Sequence, residues 1–436
     1  MGMPPQGETP QPAAHDGCDD PVHDWIDIRA ARRLVLEKAR PLTRRERVPI
    51  VEATGRRLAQ EVRGDSDLPP FDRVMMDGFA VRAADVVGAT AERPVELPVV
   101  GEVAAGAAGD EPLEPGQARS IMTGAPLSPG ADAVIQHEWT HPAEGRPDVV
   151  CIERPVVAGQ NVAPRGEDLR AGDVIARPDE LVGPLGLSLL VSSGAAEVDV
   201  LARPRVAVLT SGDELVPPGA PIRRGQIRES NGPALADLFR RCGAEVDALG
   251  VAKDTKEDLA ALLERALEAD IVVLTGGSSV GRYDFSAEVV ESFGATRHFQ
   301  KLSVKPGKPT LFYTRGETLV FCLPGNPVAA LMTGRVLVCP AVRRLAGDDV
   351  AVWPDHEQPL SSPVKRNPVR DLLVPVRRHD GQLAFEGWHG SGDLVCMSRA
   401  DAFAFVAAGQ GSAEVGSPAT VFPLVGQGGA PAGDVW

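Results

Sequence analysis

The chain has 436 residues, 43% hydrophobic and 24% charged, enough for about three domains at ~150 residues each and too long for one small module. Its 45 basic and 60 acidic residues leave a net charge of −15, which excludes a sequence-independent grip on nucleic acid or anionic lipid. No apolar run reaches the ~18 residues that span a bilayer, and 4% aromatics beside 46 Gly and 39 Pro favour short strands and shaped loops over helical bundles.

Residues 1–23 are polar, Pro-rich and acidic, without the basic start and apolar core of a secretory signal, and predict a disordered tail. The cysteines (Cys18, Cys151, Cys242, Cys322, Cys339, Cys396) are scattered with no C-x-x-C pair, which argues for a reducing, cytoplasmic setting and against structural zinc or a disulfide framework. The acidic start and apolar spacing of residues 24–40 predict one helix stopped by Pro41. From Val48 to about Val150, short β-branched segments such as VELPVVGEV and DAVIQ alternate with Gly/Pro turns, the pattern of a β-rich module. Strand and turn character continues through GDVIARPDELVGPLGLSLL to Pro204.

Residues 205–346 alternate strands and helices. Strand RVAVLT is followed by loop SGDEL and a helix NGPALADLFRRC, expected to be capped by Asn231 and Gly243. Strand EVDALGVA precedes a helix capped by Thr255, with Leu259, Leu262, Leu263, Ala266 and Leu267 on one face. Strand ADIVVLT, loop GGSSVG and helix DFSAEVVESF follow, then further strands, the turn LPGNP and a helix from Val328 to about Leu345. Such alternation predicts a doubly wound, mainly parallel sheet with helices on both faces. β-prone pieces from Val350 onward (DLLVPVRR, DAFAFVAAG, SPATVFPL) predict a last, small all-β domain.

Ligands of doubly wound sheets bind outside the carboxyl ends of the strands. The unusual residues of 205–346 fall there: Ser211, Gly212, Asp213 and Glu214 after the first strand, and Asp254 after the second. Gly276, Gly277, Ser278, Ser279, Gly281 and Asp284 follow the third, and Pro324, Gly325, Asn326 and Pro327 follow a later one. The TGGSSVG loop is either a phosphate cradle feeding a helix N-terminus or a plain tight turn, with Asp284 also placed to cap that helix. It is neither G-x-G-x-x-G nor a Walker A. Glu214, Asp254 and Asp284 are hard oxygen donors suited to Mg²⁺ beside phosphates, though exposed acids at strand ends are also common.

Only seven of the 45 basic residues are Lys, yet Lys301, Lys305 and Lys308 lie together in KLSVKPGKP. Where a chain uses Arg for generic charge, clustered Lys in a Pro/Gly-stiffened loop points to compact point charges for a tetrahedral oxyanion or phosphate oxygens. HEWTH at 137–141 matches the zinc-hydrolase pattern, but that chemistry needs both His on one helix face. A β-prone lead-in and Pro142 argue against it.

The ordered motifs FDRVMMDGFAVR, IMTGAPLSPGADAVIQHE, GQNVAPRGEDLRAGD, TSGDEL, GGSSVGRYDF, KLSVKPGKP and LPGNPVAA resemble the molybdopterin molybdenumtransferase family, which includes the E domain of gephyrin, over about residues 24–436. The resemblance implies an elongated homodimer of four domains: a segmented linking domain (24–47 and 172–204), a β-rich insertion domain (48–171), the α/β molybdopterin-binding domain (205–346) and a C-terminal β-barrel (350–436). It implies that adenylylated molybdopterin and molybdate are converted, with Mg²⁺ assisting, to the molybdenum cofactor and AMP. Carried over by motif, the catalytic acids are Asp77, Asp168, Glu214, Asp254 and Asp284, with Thr123, Lys301, Lys305 and Lys308 also implicated. Of these, Asp77, Asp168 and Thr123 come from the resemblance alone. Three departures stand out: Arg73 and Val74 precede the M-D-G motif where the family has Asn-Ser. Pro375 stands where a second Arg of the barrel pattern beginning at Arg370 is expected, and Val395 and Cys396 align with paired serines. A molybdopterin adenylyltransferase sharing the α/β domain, and a non-catalytic scaffold of the same fold, are the alternative readings.

Overall fold

The computed structural model describes residues 25–276, 283–354, 356–385 and 387–424, without the side chains of Tyr283 and Asp284. The expected tail, together with Gly277, Ser278, Ser279 and Gly281, lies outside the described residues. Two compact units divide the chain: residues 43–202, and residues 1–42 with 203–436.

Within residues 43–202, six short strands form one sheet in the order Ala133–Gln136, Gly78–Val81, Ala118–Ile121, Val95–Val103, Arg146–Ile152 and Thr140–Ala143. A Cβ on Gly78 would lie 1.9 Å from the Ile135 carbonyl oxygen, so the glycine of M-D-G is required by strand pairing. Arg45–Pro49 pairs antiparallel with Glu197–Leu201. Between them lies a helix, Pro184–Ser192, where strand and turn character was expected. Proline in the first turn is pre-set for a helix, and the Leu-rich stretch that follows prefers one too.

In the other unit, a six-stranded sheet runs Glu245–Ala252, Arg205–Ser211, Ile271–Gly276, Thr318–Leu323, Leu311–Arg315 and Thr296–Phe299. The first four strands are mutually parallel, Leu311–Arg315 runs antiparallel to them, and Thr296–Phe299 pairs antiparallel with Leu311–Arg315. Both faces are buried because alternate residues serve different cores. Val206 and Val208 pack with Leu235, Leu238 and Phe239 of helix Asn231–Arg241, while Ala207 and Leu209 pack with Leu259, Leu263 and Ala266 of helix Lys256–Ala266. Helix Ile28–Lys38 joins the first of these cores through Ile28, Ala31 and Val35. It starts later than the sequence pattern predicts, because Asp27 caps it by accepting the N–H groups of Arg29 and Ala30 at 2.8 and 3.1 Å.

Three local expectations are corrected. Asn231 is the first residue of its helix, not its cap, and the Glu229 carboxylate instead accepts the Gly232 N–H at 2.7 Å. Helix Tyr283–Ser292 begins before Asp284, which lies inside its first turn rather than at the cap. The long last helix is three segments, Pro327–Thr333, a π-helical Gly334–Val338 and Cys339–Leu345, because Pro340 cannot donate to the regular ladder.

The C-terminal sheet places Val304–Lys305, Asp371–His379, Ala402–Val406, Pro418–Pro423 and Glu357–Pro359 side by side, with Gln382–Ala384 also on Asp371–His379. A bridge between Leu360 and Leu383 brings the ends of this sheet round toward each other. Val304–Lys305 pairs in parallel with Asp371–Leu372, tying the lysine loop to this sheet.

Candidate active site

The parallel strands bring their carboxyl ends to one edge, and the loops there are joined by specific bonds. Gly276 has φ +124°, and a Cβ on it would lie 2.1 Å from the Ser211 carbonyl oxygen, so these strand ends approach only through glycine. The Asp254 N–H donates to Asp213 Oδ1 at 3.2 Å and the Asp213 N–H to Asp254 Oδ2 at 3.4 Å, stapling the first two loops. The Glu214 carboxylate folds back over Gly212, where a Cβ would sit 2.8 Å from Oε2.

Asn231 has a task that its sequence context did not reveal. Its Nδ2 donates to Thr275 Oγ1 at 3.1 Å and to the Gly325 carbonyl at 2.7 Å, and Thr275 Oγ1 donates to the Pro324 carbonyl at 2.9 Å. One amide thus ties a helix start, a strand end and the LPGNP turn. Because its nitrogen faces a carbonyl, its Oδ1 is fixed as the other end of the amide, and that atom is buried without a partner among the described residues.

Two cavities open here. The first, about 340 Å³, is lined by Ser211, Glu214, Gly276, Gly325, Asn326 and Pro327 of the predicted set, together with Arg228, Glu229, Asn231 and Thr275. The second, about 690 Å³, is lined by Lys305, Lys308, Pro324 and Asn326, together with Lys365, Arg366, Arg370 and His389. Asn326 borders both, and its Nδ2 donates to Ser391 Oγ at 3.0 Å. Gly212, Asp213, Asp254 and Lys301 line neither cavity.

The lysine loop is rigid for visible reasons. Ile26 bridges Leu302, with its N–H on the Lys301 carbonyl at 3.0 Å, and Thr310 Oγ1 donates to the Gly307 carbonyl at 2.7 Å. Trp25 was not singled out from the sequence, which offers no motif around it. Its ring centroid lies 4.6 Å from Lys308 Nζ and 6.0 Å from Arg370 Cζ. The same chain folding explains why Arg370 joins the loop: its neighbours Asp371 and Leu372 pair with Val304 and Lys305.

Asp77, Thr123 and Asp168 belong to the 43–202 unit. Asp77 Oδ1 accepts the Thr123 N–H at 2.6 Å and its hydroxyl at 2.8 Å, and these bonds hold the carboxyl below the usual carboxylate range. Asp168 is exposed on a loop whose shape is set elsewhere: Asp67 takes the Arg165 Nε at 2.5 Å and the Ala171 N–H at 2.9 Å. No hydrogen bond or ion pair joins Asp77 to Asp168 among the described residues.

Among the described residues, no three His, Cys, Asp or Glu side chains come together as a metal site. HEWTH forms a 3₁₀ turn, His137–Trp139, followed by strand Thr140–Ala143. The His137 ring packs edge-on against Phe79 at 5.1 Å, and His141 lies 3.6 Å from Glu153, so the two histidines share no helix face. Pro375 is paired with Phe403 inside a strand, while Val395 and Cys396 sit in helix Leu394–Arg399, capped by Asp393. None of the five described cysteines forms a disulfide, and no helix among the described residues is long and apolar enough to cross a membrane.

Against known proteins, residues 26–194 match the MoeA N-terminal region (domain I and II), 207–344 the "Probable molybdopterin binding domain", and 357–424 the MoeA C-terminal region (domain IV). Molybdopterin molybdenumtransferase 2 of Mycobacterium tuberculosis is 38% identical over 349 residues, covering 77% of this chain and 82% of the relative. The molybdopterin molybdenumtransferase of a Nostoc species is 33% identical over 422 residues, covering 93% and 96%. The crystal structure of a molybdopterin biosynthesis MoeA protein from Pyrococcus horikoshii superposes with a TM-score of 0.76 at 32% identity, over 92% of this chain and 100% of that one. On these matches the chain belongs to the MoeA family of molybdopterin molybdenumtransferases.

Proposed function

We propose that the chain inserts molybdenum from molybdate into adenylylated molybdopterin and releases AMP, the last step of molybdenum cofactor synthesis. The observation that carries this reading is the pair of adjoining cavities. One sits at the carboxyl edge of the parallel sheet, where backbone N–H groups and polar side chains suit a phosphorylated organic ligand. The other is lined by Lys305, Lys308 and Arg370 with no carboxylate among its described lining residues, in a chain of net charge −15. An oxyanion beside a pyrophosphate requires that separation of charge.

Asn231 and the LPGNP turn shape the first cavity, and its buried amide oxygen offers an acceptor to a ligand N–H. Lys305 and Lys308 supply point charges to the second, with Trp25 restraining Lys308. Glu214 and Asp254 follow adjacent strand ends and offer hard carboxylate oxygens of the kind Mg²⁺ takes, and Asp284 stands in the first turn of helix Tyr283–Ser292. When bound there, Mg²⁺ would neutralise charge on the pyrophosphate as AMP departs.

Asp77, Thr123 and Asp168 complete the site from a second copy of the chain. A homodimer is supported by apolar side chains that a monomer leaves in water: Leu181, Leu185, Leu189 and Val191 in and beside helix Pro184–Ser192, with Leu185 87% exposed. Met75, Met76 and Met122 are exposed in the same way around Asp77 and Thr123.

The test supplies purified protein with adenylylated molybdopterin, with and without molybdate. Molybdate-dependent release of AMP supports the reading. ATP-dependent adenylylation of molybdopterin identifies an adenylyltransferase instead, and neither reaction leaves a scaffold.

A further inference from the structure

The lysine loop makes only one wall of the 690 Å³ cavity; a separate two-stranded sheet of the C-terminal region and the turn after it make another, and it is also basic. Lys365 lies on strand Val364–Lys365, which pairs with Ser412–Ala413, and Arg366 follows it directly. Arg366 is held from two sides: its N–H donates to the Gly411 carbonyl at 3.0 Å and its Nη1 to the Ala407 carbonyl at 2.9 Å. Next in the chain, Asn367 Oδ1 accepts the N–H groups of Val369 at 3.0 Å and Arg370 at 2.8 Å. That turn returns Arg370 to the same cavity as Arg366.

Lys305, Lys365, Arg366 and Arg370 have no carboxylate partner among the described residues. Four cations without a carboxylate partner among the described residues repel each other around one cavity, an arrangement that is relieved when an anion enters. The Ala407 bond uses one of the five guanidinium N–H donors of Arg366, leaving a restrained fork for oxyanion oxygens. Pro375, Val395 and Cys396, at the positions where the sequence departs from its family, bring no cation or hydroxyl donor.

We infer that Lys365 and Arg366 are binding residues for the free oxyanion: they capture molybdate from the C-terminal wall and supply the donors those departures remove. This rests on reading the cavity as the molybdate site. It adds a capture wall that acts before the pterin substrate is present, because these residues line only the second cavity.

The test is equilibrium binding of molybdate alone to the full chain, by dialysis or calorimetry, with Lys365→Gln, Arg366→Gln, Arg366→Lys and Lys305→Ala. Arg366→Gln should weaken binding about tenfold, the scale of one charge-assisted contact. Lys365→Gln should weaken it about threefold because that ammonium is exposed and screened. Arg366→Lys should recover part of the loss, and the molybdate-independent melting temperature of Lys365→Gln should match the parent. Weakened binding in Lys305→Ala with both glutamine variants at parent affinity overturns the capture wall and leaves the cavity's assignment standing. Should Arg366→Gln fail to fold, Lys365→Gln and Arg366→Lys decide the matter, since one is exposed and the other keeps its charge. Parent-like affinity in every variant, or no binding by the parent, overturns both.

Discussion

Asn231→Ala is the sharpest probe of the sheet edge. The substitution removes two hydrogen bonds, to Thr275 Oγ1 at 3.1 Å and to the Gly325 carbonyl at 2.7 Å, and leaves the latter carbonyl without its donor. At about 1 kcal/mol for each bond, the expected loss is about 2 kcal/mol. For a unit of roughly 150–250 residues, 1 kcal/mol corresponds to about 2–4 °C, so the melting temperature of this unit should fall by about 4–8 °C. The KM for adenylylated molybdopterin should rise more than kcat falls, because the network shapes the cavity without supplying a charge to the reaction. Thr275→Val, which cuts the bond to the Pro324 carbonyl, should couple to Asn231→Ala by 0.5 kcal/mol or more in a double-mutant cycle, as groups sharing one network do. Calorimetric melting and steady-state kinetics on the two single variants and the double variant suffice. An Asn231→Ala protein that melts within a degree of the parent with an unchanged KM would show that the three loops are held by something else.

Three further outcomes follow from the same geometry. Asp77 has its folded pKa depressed by the Thr123 N–H and hydroxyl, so the stability those bonds add is present above the ordinary value of about 3.9 and lost as pH falls through the folded value. The acid limb of unfolding should therefore be less steep in Asp77→Asn than in the parent; superimposable acid-denaturation curves would contradict this assignment. Inactive Asp77→Asn and inactive Asp284→Asn chains, mixed and refolded together, should regain partial activity through one restored composite site. Verified heterodimers that stay inactive would refute sharing between subunits. Lys305→Ala or Lys308→Ala should raise the molybdate concentration needed for half-maximal AMP release about tenfold or more, and Lys308→Arg should not restore it, since a planar fork does not reproduce a compact ammonium; saturation curves identical to the parent's would assign the oxyanion to other groups.

The amino-acid order alone carried the α/β alternation of residues 205–346, because strands buried on both faces must be continuous apolar runs and their helices must show one apolar stripe. It also carried the gathering of loops at the strand ends, and the scarcity of lysine that made KLSVKPGKP conspicuous. Asp77 and Asp168 were legible only through family resemblance, since a lone acid in a turn has no periodicity to betray it. Tertiary structure decided the rest. Asn231 reads as a cap by residue type, yet its amide is taken by Thr275 and Gly325, which are 44 and 94 residues away. Trp25 meets Lys308 only because Ile26 bridges Leu302. Lys365 and Arg366 look like ordinary surface charge in sequence. They border the same 690 Å³ cavity as Lys305 and Arg370 only in the folded chain, where strand Val364–Lys365 pairs with Ser412–Ala413 and the next turn returns to Arg370. Local propensity acts over a few residues, whereas a binding site is assembled from side chains far apart in the chain, and only the packed fold determines which of them meet.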